Sequence, residues 1–344
     1  MLVRKKGQHA TLYVDNTVLS SQSMCDTKTF IRHALHYDAH EEAAALKAGI
    51  ACHNVFEVWF KGGTVEQALA ALDEYLTWAD EAHEKGILHE RFEGQNVYNV
   101  CHAYLTQRDI NLFPWVTDPK KVEIAVVAQL TKDNICVCGH SIKKHASQEC
   151  SACSCPEFTI VNFTGKLDLI GSLHETGHLI PIDHKTTGQI NSNFVRKYTL
   201  DSQMSGYIWL AEQHVHLPIR QAFVNAVQLS ALPKSDRKCS THGVPYAECS
   251  EMHLTTQIIG PIVRTEEQIS EWRKTALLLS REFRDLIYKA EHDFTAREIR
   301  QQGTFNGSCS FCSLGEYCRS NRPEARTSLV PYKWNPGGVV VDDE

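Results

Sequence analysis

Residue types that do hydrolytic chemistry crowd one short stretch, GKLDLIGSLHETGHLIPIDHKTT. Asp168 lies in its first half, and Asp183 and Lys185 lie one residue apart in its second. Each half reads as a strand, and the polar turn HETGH joins them. Alternation along a strand puts Asp183 and Lys185 on one face, and a hairpin brings Asp168 towards them. Two aspartates supply the oxygen ligands that hard divalent cations such as Mg²⁺ prefer. A lysine beside them can orient or deprotonate a water on the metal, or stabilise charge developing on a phosphate. The bland alternative is a surface salt bridge on a hairpin.

Other polar residues belong with this group. His53 follows Gly49 by four residues on a predicted helix, where it can offer a nitrogen ligand while the glycine permits close approach. Gln203 and Tyr207 are four apart on the helix after the hairpin and share a face. Glu123, on the preceding strand, is a weaker candidate for an accessory carboxylate. His174-Glu-Thr-Gly-His178 matches the HExxH zinc-protease string. That chemistry needs both histidines on one helical face, and a glycine-containing turn between strands does not provide one.

The chain has 13 cysteines, an odd number that simple pairing leaves unmatched. Their grouping favours metal over disulfides. Cys136, Cys138, His140, His145, Cys150, Cys153 and Cys155 fall within twenty residues, which points to one structural zinc held by four of them. Cys138, His145, Cys150 and Cys153 are the chosen set, and a loop so poor in apolar residues needs the ion to fold. Lys143 and Lys144 between the ligands can touch phosphates or simply face solvent. Cys239-x2-His242-x6-Cys249-x3-His253 has the composition of a second zinc site with non-standard spacing, preceded by basic Lys234, Arg237 and Lys238. Cys309-x2-Cys312-x5-Cys318 supplies three thiols, one short of a tetrahedral set. Cys52 and Cys101 have no obvious partners and read as buried apolar residues.

The elements that must position these groups can be read coarsely. Residues 38–110 are predicted helical, with Ala43, Leu46, Ile50 and Val55 at roughly helical spacing. Thr64 with Gln67 and Thr265 with Gln268 fit capping boxes, the second opening a long helix to about residue 295. Residues 121–131 and QAFVNAVQLS read as strands on either side of the hairpin and of a helix at 199–215. The order gives an α/β (α+β) fold, with a mixed central β-sheet flanked by helices. The expected parts are an N-terminal helical region at 1–120, a core at 121–232 with a cysteine insert at 135–156, and a second Cys/His insert at 233–260. A long helix with the C-terminal cysteines at 261–320 and a tail at 321–344 follow, its last stretch NPGGVVVDDE expected to be frayed.

Composition limits the function. A net charge of −6 excludes holding nucleic acid by bulk positive charge but leaves room for a local basic groove. No apolar run reaches the ~18 residues of a membrane helix. The start MLVRKKGQ is charged with no apolar stretch after it, so no secretory signal and a cytoplasmic location are expected.

Taken in order, Gly49/His53, Gly165/Asp168, Asp183/Lys185 and Gln203/Tyr207 form GxxxH, GxxD, DxK and QxxxY. This series resembles the RecB-like branch of the PD-(D/E)XK nucleases. The proline of the name matches loosely, since Pro181 lies two before Asp183. The resemblance implies a restriction-endonuclease-like core carrying zinc-binding inserts. It implies that His53, Asp168, Asp183 and the backbone carbonyl of His184 bind Mg²⁺ or Mn²⁺. It makes Lys185 the catalytic lysine and gives Gln203 and Tyr207 a supporting role. The stretch DNTVLSSQSMCDTKTF around Cys25 also resembles the first-cysteine motif of iron–sulfur RecB-like nucleases, which include CRISPR-associated ones, with Asp26 where proline is usual. Cys25 would then join Cys309, Cys312 and Cys318 around a 4Fe–4S cluster, with zinc on the same thiolates as the alternative. The implied activity is metal-dependent cleavage of DNA, as an exonuclease, in repair, recombination or phage DNA metabolism. Recombination or replication proteins would be its partners. The rival functions are a non-catalytic zinc-containing nucleic-acid-binding protein and an iron–sulfur redox enzyme. The second lacks any Gly-rich dinucleotide fingerprint here.

Overall fold

The computed structural model describes residues 1–4, 9–39, 43–107, 112–145, 149–153, 155–229, 238, 243–245, 254–292, 295–303, 307–319 and 329–336. Its centre is the predicted hairpin. Strand β5 (Thr159–Leu173) is β-branched and apolar, and buried along most of its length, as a central strand must be. The turn at residues 174–178 returns the chain into β6 (Leu179–Thr187). The HExxH string therefore lies in a turn, with neither histidine on a helix.

Seven strands form one mixed sheet among the described residues. Two short N-terminal strands, β1 (Leu2–Val3) and β2 (Ala10–Val14), join it, with β2 parallel to β5. Strand β4 (Trp115–Gln129) lies antiparallel to β5, and β7 (Gln221–Gln228) parallel to β6. Strand β8 (Thr256–Val263) closes the far edge against β7. The first two strands and β8 were not legible beforehand: they are short or follow an irregular stretch, and pairing rather than pattern makes them strands.

The registers leave a gap. Strand β2 pairs with residues 159–163 of β5, and β6 with residues 169–172. Strand β4 runs along residues 162–173 and overlaps both, so β2 and β6 share the opposite edge. Residues 164–168 between them have no strand partner on that edge. Asp168 ends this open segment.

One face of the sheet is covered by α3 (Ala44–Phe60), α4 (Val65–Ala70), α5 (Asp73–Glu84) and α6 (Gly94–Gln107), packed over Leu169 and Ile182. The other is covered by α8 (Ser202–Val215) and α9 (Glu266–Glu291), over Phe163 and Leu167. Both predicted capping boxes are formed, at Thr64/Gln67 and Thr265/Gln268. The helix expected at 199–215 is α8, capped by Asp201, and a separate helix α7 (Ser192–Leu200) precedes it.

Helix α3 buries Ala48, Ala51, Cys52, Val55 and Phe56. The expected apolar face is shifted: Leu46 and Ile50 are 50% and 47% exposed. Cys52 and Cys101 do have a partner, each other, with sulfurs 3.7 Å apart between α3 and α6. Near the chain ends, α1 (Asn16–Met24) leads through Cys25 into α2 (Asp26–Thr29). The C-terminal α10 (Gly315–Arg319) packs beside them. Part of the region expected as a tail is held. Strand β9 (Val330–Pro331) pairs with β3 (Tyr37–Asp38), and Trp334 donates its indole N–H to Asp15 at 3.0 Å.

Candidate active site

The open segment of β5 forms the floor of a cleft of about 600 Å³, lined by His53, Glu123, Asp168, Lys185, Gln203 and Tyr207. Helix α3 brings His53 in by packing close to β6. A Cβ on Gly49 would stand only 3.3 Å from Thr186 Oγ1, so glycine sets that approach. On the other side, a Cβ on Gly165 would lie 2.6 Å from Leu210 Cδ1, which fixes α8 and its Tyr207 tight against β5.

Asp168 is 6% exposed. Its Oδ2 accepts the backbone N–H of His184 at 2.7 Å and lies 3.5 Å from His53 Nδ1. The carboxylate so bridges the gap where the β5–β6 ladder stops. Asp183, 1% exposed, accepts Lys185 Nζ on Oδ1 at 2.8 Å. Its Oδ2 is buried with no hydrogen-bond partner. Strand alternation places the two side chains together as expected.

Glu123 is the surprise. Between Thr117 and Val122 the pairing of β4 with β5 slips, and Glu123 adopts φ 56°, a left-handed conformation uncommon outside glycine. That bulge turns its carboxylate inward. His53, Glu123 and Asp168 present ligand atoms all within 4.8 Å of one another. Lys166 pairs with Glu123 at 2.5 Å and reaches Glu57 at 3.8 Å. The only sequence signal was an acid in the otherwise apolar run EIAVVAQL.

The His184 imidazole is not part of the cleft. It stacks on Phe60 at 4.9 Å, with Nδ1 3.0 Å from Asn225 Nδ2, on the opposite face from Asp183 and Lys185. Gln203 Nε2 donates to the Tyr207 hydroxyl at 3.0 Å.

Electrostatics suit a divalent ion. Burial pushes Asp168 and Asp183 up to about 6, against the pull of Lys185. Burial also raises Glu123, while Lys166 opposes the rise. Burial and then Lys185 lower His53, which leaves its imidazole neutral, the ligating form. For Lys185 burial acts downward, but Asp183, Tyr207 and Asp168 outweigh it and hold the ammonium well above its ordinary value. The Lys185 ammonium is thus placed to donate hydrogen bonds. Burial raises Tyr207 too, so it remains a neutral phenol. Carboxylate oxygens crowded in a buried floor, one of them unpartnered, fit a hard cation.

The cysteine groups are separate. Cys25, Cys309, Cys312 and Cys318 line one cavity of about 300 Å³. A Cβ on Gly303 would come within 3.0 Å of Cys309 Sγ and 3.7 Å of Cys25 Sγ, so the backbone closes on the sulfurs. In the 135–156 insert, the set Cys138, His145, Cys150 and Cys153 is divided. Cys138 and His145 group with Cys136 and Cys155, whereas Cys150 and Cys153 group with Cys138 and His140. The second Cys/His set, Cys239, His242, Cys249 and His253, lies outside the described residues.

A mixed sheet with an open central strand, carrying carboxylates and a protonated lysine into a cleft, defines the class of metal-dependent phosphodiester hydrolases. The family model of the PD-(D/E)XK nuclease superfamily matches residues 17–319, and the chain belongs to that superfamily. It is therefore a nuclease-family hydrolase, whose members use divalent metal ions and act on nucleic acid. No curated protein matches the chain. No helix among the described residues is long and apolar enough to cross a membrane.

Proposed function

We propose that this chain is a Mg²⁺- or Mn²⁺-dependent deoxyribonuclease of the RecB-like branch, acting as an exonuclease on DNA ends. The observation that carries the reading is the convergence of His53, Glu123 and Asp168 at the open segment of β5, with Lys185 in the same cleft and held by Asp183. His53, Asp168, Asp183 and the His184 carbonyl hold the ion, and Glu123 joins them. The bound ion supplies polarisation of the scissile phosphate and a water acidic enough to attack at neutral pH. Lys185, fixed by Asp183, donates to the phosphate and stabilises the charge that develops there. Tyr207, oriented by Gln203, donates its hydroxyl to the DNA backbone. Lys166 sits at the mouth, where it can meet a second phosphate.

The four-cysteine clasp holds a 4Fe–4S cluster. Cys25, Cys309, Cys312 and Cys318 line one cavity of about 300 Å³, room for a cubane with one thiolate on each iron. The cluster ties α2 to α10 and so closes the chain ends over the core. Zinc fills the 135–156 insert.

End-labelled single- and double-stranded DNA, incubated with Mn²⁺ and anaerobically purified protein, tests the activity. Processive shortening from ends is expected, with Asp183→Ala and Lys185→Ala inactive. No cleavage by the unmodified protein, or cleavage that persists in both variants, overturns the reading. Visible absorption that Cys312→Ser leaves unchanged removes the cluster.

A further inference from the structure

The insert offers more ligands than one ion can use. One group is Cys136, Cys138, His145 and Cys155; the other is Cys138, His140, Cys150 and Cys153. Within each, every ligand atom lies within 4.8 Å of the rest. Each is a complete tetrahedral set, and Cys138 belongs to both. We propose that the insert holds two zinc ions, each four-coordinate, bridged by the Cys138 thiolate.

The spacings match. Zinc bonds of about 2.3 Å to sulfur and about 2.0–2.1 Å to nitrogen put the edges of a tetrahedron near 3.8 Å for S···S and 3.6 Å for S···N. Cys136 Sγ and Cys155 Sγ are 3.9 Å apart. Cys138 Sγ lies 3.4 Å from His145 Nε2, and Cys150 Sγ lies 3.4 Å from His140 Nδ1. These are ligand-to-ligand edges in both halves, and they occur in tight turns. Gly139, at φ 83°, folds Cys136-Val-Cys138-Gly-His140 back, with Gly139 N–H donating to the Cys136 carbonyl at 2.8 Å. Cys153 N–H reaches the Cys150 carbonyl at 3.3 Å in the second turn.

Two divalent ions on five thiolates leave one net negative charge, which polar neighbours can stabilise. Arg284 on α9 is 2% exposed, pairs with Asp285 at 2.8 Å and donates a further N–H to Cys155 Sγ at 2.8 Å, a polar contact to one of the thiolates. The N–H of Thr159 donates to Cys136 Sγ at 3.3 Å, an outer contact that orients the thiolate. A one-ion site would leave His140, Cys150 and Cys153 aimed at Cys138 with nothing to bind. With two ions, all seven ligands are used.

The bridge also links the insert to the core. Cys136, Cys138, Cys150 and Cys155 belong to the same buried cluster as Phe163, Trp209 and Phe283, beneath α8 and α9. The half holding Cys155 is the half that Arg284 ties to α9.

Metal analysis of the full-length protein tests this by difference, which cancels any zinc bound elsewhere. Relative to the unmodified chain, Cys153→Ser is expected to lose one zinc per chain, Cys155→Ser one, and Cys138→Ser two. Replacement of zinc by ¹¹³Cd in the unmodified protein gives an independent reading that no folding defect can confuse. Two cadmium resonances are expected, each split by the other through the shared sulfur. Loss of a single zinc in a folded Cys138→Ser variant, or cadmium resonances without mutual splitting, overturns the bridge.

Discussion

The cleft and the cysteine insert are both metal sites by composition, yet they are built in opposite ways. The cleft draws its groups from α3, β4, β5 and β6, over residues 53 to 185. The insert draws all of its ligands from residues 136 to 155. The cleft is open, with a buried carboxylate oxygen lacking a partner. The insert offers complete sets of four, and each of its seven Cys and His ligands falls in one of two groups. An open site of hard donors leaves coordination positions for substrate, while a closed site of soft donors leaves none. The difference separates a site that works from a site that holds.

Chelation should break the pair apart most visibly. Brief EDTA treatment is expected to abolish cleavage completely, and added Mg²⁺ or Mn²⁺ to restore it, while zinc analysis finds the insert still loaded. Thiolate zinc sites bind with roughly 10–16 kcal/mol, far more than an open oxygen site retains. Simultaneous loss of zinc and activity would show that the two sites are not independent.

Glu123→Gln probes the bulge. It should raise the Mg²⁺ concentration for half-maximal cleavage about 10- to 100-fold, with far-UV circular dichroism unchanged. An unaltered metal requirement would remove Glu123 from the ligand set and return it to a partner of Lys166.

Acidity sharpens the contrast next. Burial holds Asp168 and Asp183 near 6, so protons compete with the ion as pH falls through that value. Apparent metal affinity, read by calorimetry, should drop about tenfold per carboxylate for each pH unit below 6 and level off above it. The smallest effect is expected from Gln203→Ala. It frees the Tyr207 hydroxyl and should slow cleavage about 2- to 10-fold, the worth of one hydrogen bond.

Much of the cleft was legible because strand alternation is local. The face shared by Asp183 and Lys185 follows from one intervening residue, and their 2.8 Å contact bears it out. The capping boxes at Thr64 and Thr265 are equally local. Glu123 was ranked low because its approach depends on a bulge, and a bulge is a matter of how β4 registers on β5. Leu46 and Ile50 share the helical spacing of Val55 yet are half exposed, because spacing alone cannot say which helical stripe meets the sheet. Cys52 and Cys101 are buried as their isolation in sequence suggests, but their meeting is not legible there, because two helices must pack before 49 residues of sequence become 3.7 Å.

The sequence by itself determined the donors. It specified oxygens, a lysine and a histidine at motif spacing for the cleft, and seven sulfur and nitrogen ligands for the insert. Residue chemistry decides which metals a site prefers, and that chemistry is written in the chain. Only the tertiary structure decided how the donors are shared. It opened β5 at residues 164–168 by ending two registers on one edge, and it turned Glu123 into the gap. It also divided the insert's ligands into two groups around Cys138. Sharing depends on distances of a few ångströms between elements, which spacing along the chain does not fix.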